Sequence, residues 1–213
     1  MKVSDILLKV RYELAEPTPS EWKNEELVSY MNDGFASAWR LAAELHHPMV
    51  ESEDTITIPA DTDTIHLEQP PVGSPPLKMI EVFLDGARLP YVQPHEIPRG
   101  AHSRIEMWTL AGLDRFKVWG TPAEETDVLL RWVREPELLR LEPSTLTDSD
   151  VPLPSSILEL LVNFVIAKAQ NRLGGKPAME MQLFQQYRRD VMRALEIREP
   201  TLVTCNGYWV AAR

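Results

Sequence analysis

The chain has 213 residues, of which 44% are hydrophobic and 25% charged, values typical of a globular protein and unlike those of a disordered one. Its net charge of −10 argues against a protein that grips phosphate backbones, because such proteins carry a basic stripe. The single cysteine, Cys205, excludes an internal disulfide framework, and no apolar run is long enough to span a bilayer, so no membrane partner is expected.

The prolines divide the chain into three parts. Fourteen of the 18 prolines lie between Pro48 and Pro154. Proline lacks a backbone donor and clashes inside a helix, so this middle region cannot be helical. The segments on either side have helical periodicity, which makes the order of the chain helices, strands and helices.

The first fifty residues predict two helices. Apolar residues recur at helical spacing over residues 3–15, with Ser4 or Asp5 placed as the cap. The run Thr18-Pro19-Ser20-Glu21 matches a capping box and predicts a second helix from Pro19 to His46. Gly34 interrupts the apolar stripe of this helix, which indicates a close helix contact or a kink. The stripe is Leu27, Met31, Phe35, Ala38, Ala42 and Leu45, with Trp22 and Trp39 at its edges.

In the middle region the apolar period changes to two. Thr55–Ile58 and Thr64–Leu67 alternate like half-buried strands and predict a hairpin. Met79–Leu84 and Arg88–Val92 flank Asp85-Gly86, which supplies the positive φ angles of a two-residue turn. An exposed loop is expected at Pro94–Ser103. Three more segments bring the total to about five to seven antiparallel strands: Ile105–Leu110, Arg115–Trp119 and Val128–Val133.

After an acidic connection over residues 137–150, Pro154 begins a helix that is apolar around much of its circumference, which predicts a central position. Its apolar residues are Ile157, Leu158, Leu161, Phe164, Val165 and Ala169. Gly174-Gly175 and Pro177 separate it from a fourth helix that ends before Pro200. The predicted buried stripe of that helix is Met181, Phe184, Tyr187 (or Arg188), Val191 and Leu195.

These elements predict an α+β fold: a four-helix bundle of residues 1–50 and 151–200, with a small antiparallel β domain of residues 51–150 inserted. Neither terminal helix pair can bury its apolar stripe alone, which favours this arrangement. Two separate domains side by side are the alternative.

Residues 201–213 form a C-terminal docking arm or hairpin in this interpretation, because Asn206-Gly207 is a hairpin-grade turn. The apolar and aromatic residues around it, Leu202, Val203, Tyr208, Trp209 and Val210, are unusual for a chain end, where order is commonly lost. They pack on their own domain or add a strand to a partner's sheet, and in the second case they are docking residues.

No catalytic, cofactor or metal site is predicted. His95, Glu96 and His102 share a loop and are the candidate metal ligands, whereas His46 and His47 are adjacent at a helix end, where imidazole complements the terminal carbonyls. Cys205 has no surrounding pattern of a cysteine enzyme. A metal-dependent enzyme is therefore only a minor alternative.

The run from Trp22 to Gly34, WKNEELVSYMNDG, resembles the helix with tryptophan, an acid-rich turn, leucine and asparagine-x-glycine of tailed-bacteriophage head–tail adaptor (connector) proteins. Further segments are similar to that family in the same order. They are Thr55–Leu67, Val82–Leu89, Arg115–Pro136, Pro152–Ala169 and Phe184–Leu195.

The resemblance implies a structural virion protein rather than an enzyme, made in the host cytoplasm and located in the neck between capsid and tail. Such adaptors form a ring, usually twelvefold, beneath the portal. The implied partners are the portal protein, neighbouring adaptor subunits, tail or nozzle proteins, and double-stranded DNA that passes without specific binding. Asn32 and Gly34 would then be helix-packing residues, and residues 201–213 an arm that docks on the portal or a neighbour. A stopper or tail-completion neck protein is the alternative.

The charge of the middle region suits the DNA channel that the resemblance implies. Residues 51–144 carry 17 acidic against 9 basic side chains. A channel wall of negative charge repels phosphates and lets packaged DNA slide.

Overall fold

A computed structural model describes residues 1–16, 21–67, 77–96, 104–111, 115–140, 150–174, 177–196, 202–205 and 208–211. The chain divides into two compact units, residues 1–49 with 137–213 and residues 50–136. Four helices lie in the first unit and two antiparallel sheets in the second, which confirms a mixed α+β fold. None of the helices in these ranges is both long and apolar enough to cross a membrane.

The first two helices are α1, Val3–Glu13, and α2, Asn24–Glu44. The predicted cap of α1 is wrong: Lys2 is the N-cap, and Asp5 accepts the backbone N–H of Lys2 at 3.2 Å. Both helices end in a left-handed residue, Ala15 at φ 54° and His46 at φ 53°. In each case the N–H of this residue and the N–H of the residue after it bond back to carbonyls of the last turn, which a helix end otherwise leaves unpaired.

The predicted start of α2 at Pro19 is wrong, because the helix begins five residues later at Asn24. Thr18, Pro19 and Ser20 lie outside the described residues. The guanidinium of Arg11 donates to the Trp22 carbonyl at 2.8 Å and to Asn24 Oδ1 at 2.6 Å, so this carbonyl is bonded across to α1. The same guanidinium lies 3.6 Å from the carboxylate of Glu16, and both side chains are buried. A tertiary network therefore decides where α2 begins.

The last two helices are α3, Ser155–Gly174, and α4, Pro177–Glu196; residues 175–176 between them lie outside the described part. α3 packs against α1, α2 and α4, which confirms its predicted central position, and all six of its predicted core residues are buried. On α4, Tyr187, Val191 and Leu195 are buried as predicted, but Phe184 is half-buried and Met181 is 62% exposed. Met181 precedes Tyr187 by six residues and so lies about 120° away around the helix.

The second unit contains seven described strands in two antiparallel sheets. The four-stranded sheet has the order β1-β7-β3-β4 and the three-stranded sheet the order β2-β6-β5. The strands are β1 Glu51–Ile58, β2 Thr64–His66, β3 Lys78–Leu84, β4 Ala87–Arg88, β5 Met107–Leu110, β6 Arg115–Trp119 and β7 Thr126–Val133. One hydrophobic cluster draws on both sheets, with Trp132 and Phe116 fully buried in it. The indole N–H of Trp132 donates to Asp54 Oδ2 at 2.6 Å, so this core tryptophan is satisfied.

The predicted hairpin between β1 and β2 is wrong, although both strands exist. β1 pairs with β7 over its whole length, from Glu51 opposite Val133 to Ile58 opposite Thr126, and β2 pairs with β6 in the other sheet. Asp61, in the connection, has a φ of 58° and donates its N–H to the Pro122 carbonyl. An eight-residue strand gains more ladder bonds from an equally long partner than from three-residue β2.

The Asp85-Gly86 turn is confirmed, with φ angles of 50° and 75° that match a type I′ hairpin. The strand after it is shorter than predicted, since β4 ends at Arg88 and Pro90 has no N–H to extend the ladder. At the C-terminus, β8, Leu202–Cys205, and β9, Tyr208–Ala211, pair antiparallel as predicted. The turn residues Asn206 and Gly207 lie outside the described residues.

Candidate assembly surfaces

The asparagine-x-glycine run of α2 makes long-range contacts within the first unit. Asn32 Nδ2 donates to the Leu139 carbonyl at 3.0 Å, and the Leu139 N–H donates to Asn32 Oδ1 at 2.7 Å. Leu139 is buried. One side chain thus satisfies both polar groups of a backbone position 107 residues away and holds that segment against α2.

Gly34 allows α2 and α3 to approach closely. A Cβ at this position would lie 2.5 Å from Leu161 Cδ1 and 3.0 Å from Phe164 Cδ1. From α4, the Tyr187 hydroxyl donates to the Gly34 carbonyl at 3.1 Å, and burial raises the pKa of this phenol above its usual value. Gly34 is therefore a helix-packing residue and is explained by a close contact, whereas Asn32 packs a non-helical segment against α2.

A charged cluster covers the edge where α2, α3 and α4 meet. Lys168 Nζ lies 2.7 Å from Asp33 Oδ2, 3.5 Å from Glu180 Oε1 and 4.8 Å from the centroid of the Tyr30 ring. The Tyr30 hydroxyl donates to Glu26 at 2.7 Å. Burial, together with the hydrogen bond and charge of Glu26, raises the pKa of Tyr30 to about 12. These contacts join three helices.

The outer face of α4 combines apolar and cationic side chains. Met179, Met181 and Met192 are exposed, although large hydrophobic side chains are normally covered in a helix that packs in a core. Arg188 and Arg189 are exposed on the same helix. Beside them an open groove of about 700 Å³ runs between α3 and α4. Amide side chains dominate its lining: Gln170, Asn171, Gln182 and Gln186.

The outward face of the four-stranded sheet carries a cluster of charges around one arginine. Arg131 lies 3.6 Å from Glu51, 3.1 Å from Glu53 and 3.3 Å from Glu81. Desolvation alone lowers the pKa of a guanidinium, but the charges of these three carboxylates raise that of Arg131. Arg88 also lies 3.3 Å from Glu81, so three acids face two bases and one negative charge is left in excess.

A hollow of about 330 Å³ lies on the same sheet face. The paired residues Phe83 and Leu129 contribute its apolar lining. Asp85 and Asp127 also line it, each two residues beyond this pair and toward the same end of the sheet. Asp127 accepts the Thr57 hydroxyl at 2.7 Å. Within the described part of the chain, neither aspartate has a lysine or arginine partner.

The family of SU10 adaptor proteins matches residues 1–204. The chain belongs to this family. The predicted membership of a phage head–tail adaptor family is thereby confirmed, and the protein is a structural adaptor of a bacteriophage. A search of the curated proteins gave no match.

The predicted site residues fall into two groups. Leu202, Val203, Tyr208, Trp209 and Val210 lie on the paired strands β8 and β9, with Val203 opposite Val210, and their docking role stays a prediction. Of the candidate metal ligands, His95 and Glu96 lie in a turn, while His102 is outside the described residues. In the described ranges, no three His, Cys, Asp or Glu side chains come together as a metal site.

Sequence reasoning missed the outer face of α4 and the sheet hollow. Met181 was assigned to the core of α4 because its spacing from Phe184 suits a helical stripe. The sheet hollow depends on the pairing of β3 with β7, which lies 46 residues further along the chain at Phe83 and Leu129. No local pattern marks such a surface. The acidic excess of residues 51–144 was a signal that an acidic surface lies in the middle of the chain.

Proposed function

We propose that the protein forms the head–tail adaptor ring bound beneath the portal, where it extends the DNA channel and provides a platform for tail attachment. The observation that carries this proposal is the family match over nearly the entire chain, residues 1–204. The partners in this proposal are the portal protein, neighbouring copies in a homo-oligomeric ring, usually twelvefold in such adaptors, and tail or nozzle proteins. The location is the neck of the virion.

The proposed building block is a four-helix bundle of residues 1–50 and 151–200 with an inserted antiparallel β domain of residues 51–150. The pairwise packing of the helices supports it, since α3 contacts α1, α2 and α4, and α2 contacts α1, α3 and α4. The Asn32 clamp on Leu139 and the close approach at Gly34 support a rigid helical unit. A rigid helical unit suits a ring, because every copy must present the same contact surfaces for the ring to close.

The proposed action is geometric, with no catalytic step and no cofactor. Residues 50–136 contain 15 acidic against 8 basic side chains, and a wall of that charge repels the phosphates of packaged DNA. Double-stranded DNA then passes through the channel without specific binding. A positive or neutral lumen in an assembled ring would contradict this part of the proposal.

The docking arm is residues 201–213, with Leu202, Val203, Tyr208, Trp209 and Val210 as its contact residues. The test mixes the full chain, or a chain ending at residue 200, with a portal preparation and counts portal particles that carry a ring by electron microscopy. We expect the truncated chain to keep the circular dichroism and melting curve of the full chain but not to dock. Unfolding of the truncated chain would show that the arm belongs to the core instead.

A full-length variant with Tyr208→Ser and Trp209→Ser shows whether docking depends on these side chains or only on the length of the chain. It keeps the backbone of the arm and removes its two aromatic anchors, so docking should fall as in the truncation. Undiminished docking of this variant would refute the arm as an anchor. If the full chain itself places no ring on the portal, the adaptor proposal fails.

A further inference from the structure

Two exposed surfaces of the chain have opposite charge and similar apolar content. On α4, Met181, Arg188 and Met192 follow at spacings of seven and four residues, so they share one side of the helix. Arg189 is adjacent, and one of its nitrogens donates to Gln186 Oε1 at 2.9 Å. In the described part of the chain, neither Arg188 nor Arg189 has an acidic partner. This surface is called the α4 face below.

The second surface is the hollow on the β1-β7-β3-β4 sheet, called the sheet hollow below. Phe83 and Leu129 are half-buried there and leave apolar area uncovered in the middle of an open sheet face. Asp85 and Asp127 line it toward one end, and Glu53 and Arg131 line it as well, so its lining contains three acids and one base. The hollow thus suits a side chain with an apolar stem and a cationic end.

We propose that the α4 face of one copy packs on the sheet hollow of the next copy, with Arg188 and Arg189 against Asp85 and Asp127. The inference rests on the proposed ring. A closed ring needs two different, complementary patches on each subunit, because its contacts are head to tail. The chain has such a pair, and the partner for each surface is therefore a second copy of the chain.

The chemistry of the contact follows from the side chains. An arginine stem covers Phe83 and Leu129 while its guanidinium bonds to the two carboxylates, which are the strong, charge-assisted type of hydrogen bond. The flexible methionines of the α4 face fill the apolar area around the charged pair. Acids away from the hollow, such as Glu124 and Glu125 on an exposed turn, stay available for a channel wall.

Charge reversal tests the contact on free chains, without a portal. Variant A carries Arg188→Glu and Arg189→Glu, and variant B carries Asp85→Lys and Asp127→Lys. In a mixture of the two, the negative α4 face of A meets the positive sheet of B, and the positive α4 face of B meets the negative sheet of A. Self-association of A, of B, of the wild type and of the equimolar mixture is measured by sedimentation equilibrium and native mass spectrometry at low salt.

We expect A alone and B alone to associate about 100-fold more weakly than the wild type, and the mixture to regain wild-type association as alternating A–B assemblies. Matched controls reverse charge elsewhere: Arg40→Glu on α2, and Glu124→Lys with Glu125→Lys on the exposed turn. They should associate as the wild type does. Circular dichroism checks that every variant is folded.

Two outcomes overturn the proposal: A or B associating as well as the wild type, or a mixture that associates no better than A or B alone. Neither outcome affects the adaptor proposal, which is judged by docking of the wild type on portal particles. Conversely, recovery in the A–B mixture stands even if the wild type fails to bind the portal.

Discussion

Replacing Gly34 with alanine tests the close contact between α2 and α3 at this residue. An added Cβ would lie 2.5 Å from Leu161 Cδ1 and 3.0 Å from Phe164 Cδ1. Since carbon atoms pack best at about 3.5–4.0 Å, Leu161 would have to retreat by about 1 Å. Leu161 is fully buried, and Phe164 stacks on Tyr187 with ring centroids 4.6 Å apart, so neither side chain has free space.

Two opposing effects determine how much Gly34→Ala changes the free energy of unfolding. Overpacking of a filled core costs about 1–3 kcal/mol, whereas alanine in place of glycine favours a helix interior by about 1 kcal/mol. We therefore expect Gly34→Ala to lower the free energy of unfolding by about 0–2 kcal/mol, the difference between the two effects. The measurement is urea unfolding followed by circular dichroism. Ser29 is exposed on the same helix and serves as the control. The difference in stability between Ser29→Gly and Ser29→Ala measures the helix-propensity difference between glycine and alanine in α2.

A second substitution isolates the clash. Leu161→Ala alone should cost about 2–5 kcal/mol, as expected for a buried leucine. The double variant Gly34→Ala, Leu161→Ala should be more stable than the sum of the single effects predicts, by at least about 1 kcal/mol, because the atom that clashes has been removed. Additive effects, or a Gly34→Ala variant more stable than the wild type, would refute the close-contact explanation.

Three further predictions concern the start of α2, the end of α1 and the titration of Tyr30. Arg11→Met should cost about 3–5 kcal/mol because it removes the cation beside the buried Glu16 carboxylate, and adding Glu16→Gln should recover part of that loss in urea unfolding. Ala15→Gly should stabilise the protein by about 0.5–1 kcal/mol, since Ala15 has a φ of 54°, while Ala36→Gly within α2 should destabilise it by about 1 kcal/mol. Tyr30, whose pKa is raised to about 12 in the folded state, contributes stability that is complete below the unfolded value of 10 and is lost as the pH rises toward 12. Tyr30→Phe should flatten the fall in melting temperature over that range, and an unchanged slope would contradict it.

Several elements followed from local chemistry. The all-round apolar helix α3 was predicted to be central and packs against the other three helices. The bounds of β6, Arg115–Trp119, and the left-handed Asp85-Gly86 turn were also correct. Each depends on residues within a few positions of one another, where helix periodicity and φ preference act directly. The assignment of Asn32 and Gly34 to packing came instead from the family resemblance, and their contacts agree with it.

Other features depended on partners far along the chain. The hairpin between β1 and β2 was wrong because Glu51 pairs with Val133, and no local pattern distinguishes the two partners. The start of α2 was wrong because Arg11 binds the Trp22 carbonyl from another helix. The exposure of Met181 was missed since the face that α4 buries is set by Tyr187 against Phe164 and Gly34.

The sequence by itself determined the class of each segment, because proline, glycine turns and apolar periodicity act over one or two turns of backbone. Tertiary structure decided which strands pair, where α2 begins and which side chains stay outside. Those choices satisfy backbone groups and bury apolar area between segments far apart in the chain, such as Asn32 and Leu139, 107 residues apart, or Gly34 and Tyr187, 153 residues apart. Only the folded chain brings them together.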